Sequence, residues 1–257
     1  LRPIVTRGAS RIEFEIAYSA HPDEVGGGTS KGGAATCPVC GYTTPVESVR
    51  VQMQSQRGGA ASARLLAVLA TSSAGRRYRL PSEHDLNAVA SAATELLRKK
   101  EAPGTLKDLP LVPDGEINHL RGFFNIVLYG ITTWGDLFSP RQALALTTLC
   151  EIVRDLPGER MAPGDPSLAN AIRTVLALVV DRVAVRCTAN CIWDATTECI
   201  MQVFNQGQAL PARWEFAEMC PALDEGSGWS TSIDYTVKVL EHLTSLPRSA
   251  TVQIASA

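Results

Sequence analysis

The chain has 257 residues, 45% of them hydrophobic and 19% charged, which is enough to bury a sizeable core in one large or two smaller domains and too apolar for a disordered chain. A formal net charge of −2 and a pI near 6.1 mean that bulk charge does not draw it onto nucleic acid. No apolar run reaches the roughly 18 residues a membrane-spanning helix needs, and the start lacks a basic-then-apolar signal segment, so no membrane role is expected.

Residues 1–80 read as β-rich and glycine-rich. Ile12, Phe14 and Ile16 alternate with Glu13 and Glu15, the pattern of a half-buried strand. Gly26-Gly27-Gly28 and Gly32-Gly33 predict a mobile loop. Val49, Val51 and Met53 alternate with Arg50, Gln52 and Gln54 and predict a second strand. An apolar run from Leu65 to Leu69, the turn Ser72-Ser73-Ala74-Gly75 and Tyr78 then predict a hairpin.

From residue 81 the period becomes helical. Ser82 and Asp85 resemble a capping box, in which hydroxyl and acid each satisfy a backbone N–H, and Leu86, Val89, Ala93, Leu96 and Leu97 share a face behind it. Residues 101–115 are a proline-rich connector. Ser139-Pro140-Arg141-Gln142 supplies a cap, a first-turn proline and the reciprocal glutamine of another helix, with Leu149, Ile152, Val153 and Leu156 as its buried stripe. Asp165-Pro166 opens the next, which buries Leu168, Ile172, Val175, Leu176, Val179 and Val183. Helices are expected at 193–206 and 232–246, and a closing strand at Thr251–Ile254. The predicted fold class is mixed α+β: a small zinc-ribbon-like module over 1–80, then a mainly helical part over 81–257.

The sharpest motif is Cys37-Pro38-Val39-Cys40-Gly41. Two thiolates two residues apart, with glycine at the turn, match one knuckle of a zinc ribbon, and tetrahedral zinc needs a second pair. His21 is the only other nearby donor, and two reduced cysteines in a turn or a redox pair are the competing readings. Seven widely spaced cysteines suit a reduced, cytoplasmic protein better than a secreted disulfide scaffold. Cys187 and Cys191, four apart on one expected helix face, read with Cys199 and Cys220 as small buried apolar residues before they read as ligands. The second signal is charge. Arg50, Arg57, Arg64, Arg76, Arg77 and Arg79 fall between Glu47 and Glu83 with no acidic residue among them, a candidate phosphate-binding surface on which Tyr78 is placed to stack. The competing reading is a solvated strand face. Residues 129–142 are aromatic-rich and read as a packed elbow with Trp134 and Phe138 in the core, and Trp193, Trp214 and Trp229 are also expected there. No dinucleotide turn, phosphate-binding lysine loop or His-Glu-x-x-His occurs, and His21, His84, His119 and His242 have no evident nucleophile partner.

Three stretches carry a resemblance: ATCPVCGYTTPVESVR at 35–50, YGITTWGDLFSPRQALALTTLCEIVRDL at 129–156 and FNQGQALPARWEFAEMCP at 204–221. Their order and spacing are similar to large prokaryotic adenine-specific DNA methyltransferases that carry a zinc-ribbon DNA-binding insert. The resemblance implies methyl transfer from S-adenosylmethionine to adenine N6 in DNA, on a base flipped from the duplex. It also implies a glycine-rich cofactor turn and an Asp-Pro-Pro-Tyr motif, and neither occurs in these residues. No catalytic residue is therefore carried over, and the zinc ligands carry over as Cys37 and Cys40 alone. A start at Leu1 and an end at Ala255-Ser256-Ala257 suit an internal slice of such an enzyme, with the missing zinc ligands ahead of Leu1. On this reading the chain engages DNA and packs on the catalytic halves of a parent. The alternatives are a non-enzymatic zinc-ribbon module that holds a protein or nucleic-acid partner, and a purely structural insert.

Overall fold

The computed structural model describes residues 1–8, 11–18, 21, 28–101, 109–204, 207, 209–223, 226 and 228–245. Among them the architecture is mixed α and β, with small antiparallel sheets and six α-helices. No helix among the described residues is long and apolar enough to cross a membrane. The expected strand at Thr251–Ile254, the Gly26-Gly27 part of the loop and residues 102–108 of the proline-rich connector lie outside the described residues.

The N-terminal third is built from ribbons. β1 (Arg2–Ile4) pairs antiparallel with β2 (Glu13–Glu15), the strand its alternation predicts, with Pro3 opposite Phe14. β3 (Ser30–Lys31), β4 (Ala34–Thr36) and β5 (Thr43–Thr44) form a three-stranded sheet in that order. Gly32 and Gly33, expected in a mobile loop, instead make the tight β3–β4 turn at φ of 60° and 88°. The strand expected at Val49–Met53 is a helix, α1 (Val46–Ser55). Val49 and Met53 fit both periods, and burial separates them: Val49 is 6% exposed while Val51 is 64% exposed. Pro45 supplies an extended N-cap and Glu47 an acid for the first turn, which favours the helix. β6 (Val68–Ser72) and β7 (Gly75–Arg79) form the predicted hairpin, with Leu69 opposite Tyr78 and Ala70 opposite Arg77.

The helical part follows its caps. α2 (Glu83–Glu101) begins with Ser82 N–H donating to Asp85 Oδ2 at 2.7 Å and Asp85 N–H donating back to Ser82 Oγ at 3.4 Å. It buries Leu96, whereas Leu86 and Leu97, expected on the same face, are exposed. α3 (Pro140–Asp155) has the complete Ser139–Gln142 capping box and buries Ala143, Leu146 and Val153, but Ile152 is exposed. α4 (Gly158–Met161) is one turn. α5 (Pro166–Ala184) is capped by Asp165, which accepts from Leu168 N–H at 2.9 Å, and it buries Val179 and Val183 while Leu168 stays exposed. The helix expected at 193–206 is instead a hairpin of β8 (Trp193–Asp194) and β9 (Cys199–Ile200). Asp194 closes its turn by accepting from Thr196 N–H and Thr197 Oγ1, a side-chain bond that competes with helix. α6 (Trp229–Thr244) starts three residues before its expected position.

Two buried clusters hold these elements. Ile117, Ile126, Leu137, Cys191, Val203 and Leu210 form one, and Leu146, Val153, Val180, Val183 and Cys187 the other. Phe138 packs against both, as the elbow reading requires, whereas Trp134 is 38% exposed. Of the other tryptophans, Trp229 packs on the second cluster and Trp214 is 48% exposed.

Candidate metal centre and basic surface

Cys37 and Cys40 sit at the tip of the β4–β5 ribbon. Cys37 N–H donates to Tyr42 O and Gly41 N–H donates back to Cys37 O, both at 2.8 Å, so the turn closes on itself. Gly41 has φ +74°, the left-handed conformation that glycine adopts without strain. The N–H groups of Cys40 and Val39, then the Cys40 thiol, hydrogen-bond Cys37 and hold its thiol below the usual range against a small effect of burial. A thiol held below its usual range suits a metal ligand, which binds as thiolate.

The residues present fit half of a tetrahedral zinc set. Cys37 is half-buried and Cys40 exposed, so the pair opens to the surface, and no group of three His, Cys, Asp or Glu gathers among the described residues. His21 does not join them. All seven cysteines are free. Cys187 and Cys191 are fully buried beyond the end of α5 rather than on a helix face, and burial first, then Glu218 nearby, pushes the Cys187 thiol up to about 12. They behave as core residues. Cys199 and Cys220 are exposed.

The six arginines do not stand as one uncompensated patch, because the fold brings distant acids to three of them and the nearby Asp85 to a fourth. Arg57 Nε pairs with Asp136 Oδ1 at 2.8 Å. Burial works to raise the Asp136 carboxyl, but Arg57 and the N–H groups of Thr133 and Thr132 outweigh it and hold it below the carboxylate range. Arg64 Nη2 meets Glu13 Oε2 at 2.8 Å, and Arg76 Nη1 reaches Glu198 Oε2 at 3.4 Å. Arg79 grips Asp85 with both terminal nitrogens. With Ser82, it holds that carboxyl well below the usual carboxylate range. Arg50 lies over the Tyr129 ring, 5.6 Å from its centroid, with its Nε buried and unpartnered. Arg77 has no acidic partner among the described residues.

Arg77 instead lines a shallow cleft of about 320 Å³ with Ile16, Tyr18, Ala70, Tyr78 and Arg79. Tyr18 Oη donates to Tyr78 O at 2.5 Å, and Tyr78 meets Trp193 edge-on at 6.5 Å. Tyr78 was legible as a stacking residue. Tyr18 and Trp193 were not, since no local spacing links positions so far apart. Gly-x-Ser-x-Gly, expected to be absent, does occur, at Gly28-Thr29-Ser30-Lys31-Gly32. Ser30 lies in β3 and leads into a hairpin turn, not the strand-to-helix elbow that exposes a nucleophile.

Comparison with family models, with curated proteins and with solved structures finds no match for this chain.

Proposed function

We propose that this chain is the DNA-engaging part of an S-adenosylmethionine-dependent adenine methyltransferase, and that it binds and positions DNA rather than carrying the reaction. The observation that supports this most is the Cys37–Cys40 knuckle, a turn closed by Cys37 N–H on Tyr42 O and Gly41 N–H on Cys37 O with a left-handed glycine behind the second cysteine. On this reading the knuckle is half of a zinc ribbon whose other two donors come from polypeptide outside these residues. Zinc there would tie the ribbon tip to that polypeptide. No residue here is assigned to the methyl donor, which would supply the transferred methyl group. The DNA surface is the β6–β7 hairpin, with Arg77 and the Tyr18–Tyr78 cleft at its centre. Arg76, 40% exposed and paired with a Glu198 side chain that is 52% exposed, holds a surface pair worth about 0–1 kcal/mol and exchanges it for phosphate at little cost, whereas Arg57 stays with Asp136, whose side chain is only 8% exposed. Exposed Val237, Val239, Leu240 and Leu243 on α6 suit packing against the catalytic halves of such an enzyme.

The local neutralisation of Arg57, Arg64, Arg76 and Arg79 favours a second reading, a non-enzymatic zinc-ribbon module that holds a protein partner. Retention on duplex DNA across a salt series separates the two. The first reading expects the paired change Arg76→Gln and Arg77→Gln to weaken retention and lower the salt slope by about 1–2. Unchanged retention and slope would overturn it.

A further inference from the structure

Arg182 and Arg186 stand four residues apart at the end of α5, both half-buried, and neither has a carboxylate partner among the described residues. They converge on a cavity of about 120 Å³ that is also lined by Gly226, Thr231, Ser232 and Tyr235. Arg182 lies over the Tyr235 ring at 4.4 Å, which fixes the guanidinium plane without neutralising it. The facing wall is the first turn of α6, which has no side-chain cap and no acidic residue. That turn therefore brings no negative charge to the two cations.

Like charges held together in partial burial repel unless an anion joins them. The negative end of α5 accounts for Arg182 in its last turn, but not for Arg186 beyond the cap. A second observation is independent of the helix end. Ser232 is 2% exposed and lines the cavity, and its hydroxyl has no hydrogen-bond partner among the described residues. An unpaired hydroxyl that opens onto the cavity beside two guanidinium groups completes a donor set for oxygen acceptors. The volume equals about four waters, which suits one tetrahedral oxyanion.

We infer that this cavity binds a phosphoryl oxyanion, held by Arg182 and Arg186 and oriented by the Thr231 and Ser232 hydroxyls. The site is separate from the knuckle and the hairpin, and it does not depend on the methyltransferase reading. Its ligand is either a free phosphate group or a phosphodiester of a nucleic-acid backbone.

Calorimetric titration of the full chain with inorganic phosphate, against chloride at matched ionic strength, tests it. One phosphate per chain is expected, with affinity about tenfold to a hundredfold lower in Arg182→Gln and Arg186→Gln. Ser232→Ala, a change that leaves the arginines and the fold in place, is expected to weaken binding several-fold. Cys37→Ser is expected to leave phosphate binding unchanged, so failure of the knuckle reading is told apart from failure here. Retention on a short duplex then identifies the source. A salt slope lowered by about one in Arg186→Gln assigns a backbone phosphate. An unchanged slope with phosphate binding lost assigns a free phosphoryl group. No phosphate uptake by the unaltered chain, or uptake equal in all three cavity variants, would overturn the inference.

Discussion

Gly130→Ala probes the seat of the knuckle-bearing segment on the rest of the fold. Gly130 ends the 3-10 turn Asn125–Tyr129 at φ +93°, where an alanine costs about 1–2 kcal/mol. An added Cβ would lie 2.5 Å from Gln54 Cα and 3.1 Å from Met53 O, in the last turn of α1. Both are backbone atoms, so the helix must shift, and overpacking of that kind adds about 1–3 kcal/mol. The shift also pulls on Gln54 Nε2, which donates to Leu128 O at 3.0 Å. Thermal unfolding followed by circular dichroism is expected to show a Tm fall of about 4–20 °C, taking about 2–4 °C per kcal/mol at this size. Gly164→Ala is the control. Its φ is +74° with nothing within 4 Å of an added Cβ, so only the torsional cost remains, about 2–8 °C. A fall in Gly130→Ala no larger than in Gly164→Ala would refute the close seating of α1 on that turn.

Two further outcomes are expected. Because the Cys40 and Val39 N–H groups lower the Cys37 thiol, iodoacetamide should label Cys37 at a pH below that of an ordinary thiol, about 8.5. The same lowering means that its contribution to stability is present above the unfolded pKa and is lost as pH falls through the folded one. Cys187, raised to about 12 by burial, should stay unlabelled until the chain unfolds, and peptide mass spectrometry reads both. Ser139→Ala should lower Tm by about 2–8 °C, because Ser139 Oγ both accepts from Gln142 N–H at 3.3 Å and donates to Glu218 Oε2 at 3.2 Å. Ser139→Asp, as good a cap in isolation, should fail to restore stability, since its carboxylate meets that of Glu218; recovery to the unaltered Tm would contradict this.

What the sequence made legible was local. The caps at Ser82, Ser139 and Asp165 each act within three residues, and all three were found where the chain announces them. The β6–β7 hairpin was legible for the same reason. Val49-x-Val51-x-Met53 was not, because an apolar run of this length satisfies a strand and a helix alike and only burial of Val49 decides. The 193–206 segment went astray because an aspartate turn outcompetes a weak helical pattern. The basic surface was half legible. Its cations are contiguous in sequence, but Asp136 lies 79 residues from Arg57, and Glu198 lies 122 from Arg76. Counter-charges at such separations leave no trace in spacing.

Phe138 has a consequence for how the molecule comes apart. Its ring lies against both buried clusters and immediately precedes the cap of α3. Neither cluster loosens without stripping neighbours from a side chain the other also uses, so cooperativity is expected to pass through a single aromatic hinge-pin. Proteolytic nicking on either side of it would then yield no stable half, and the two clusters would melt in one transition.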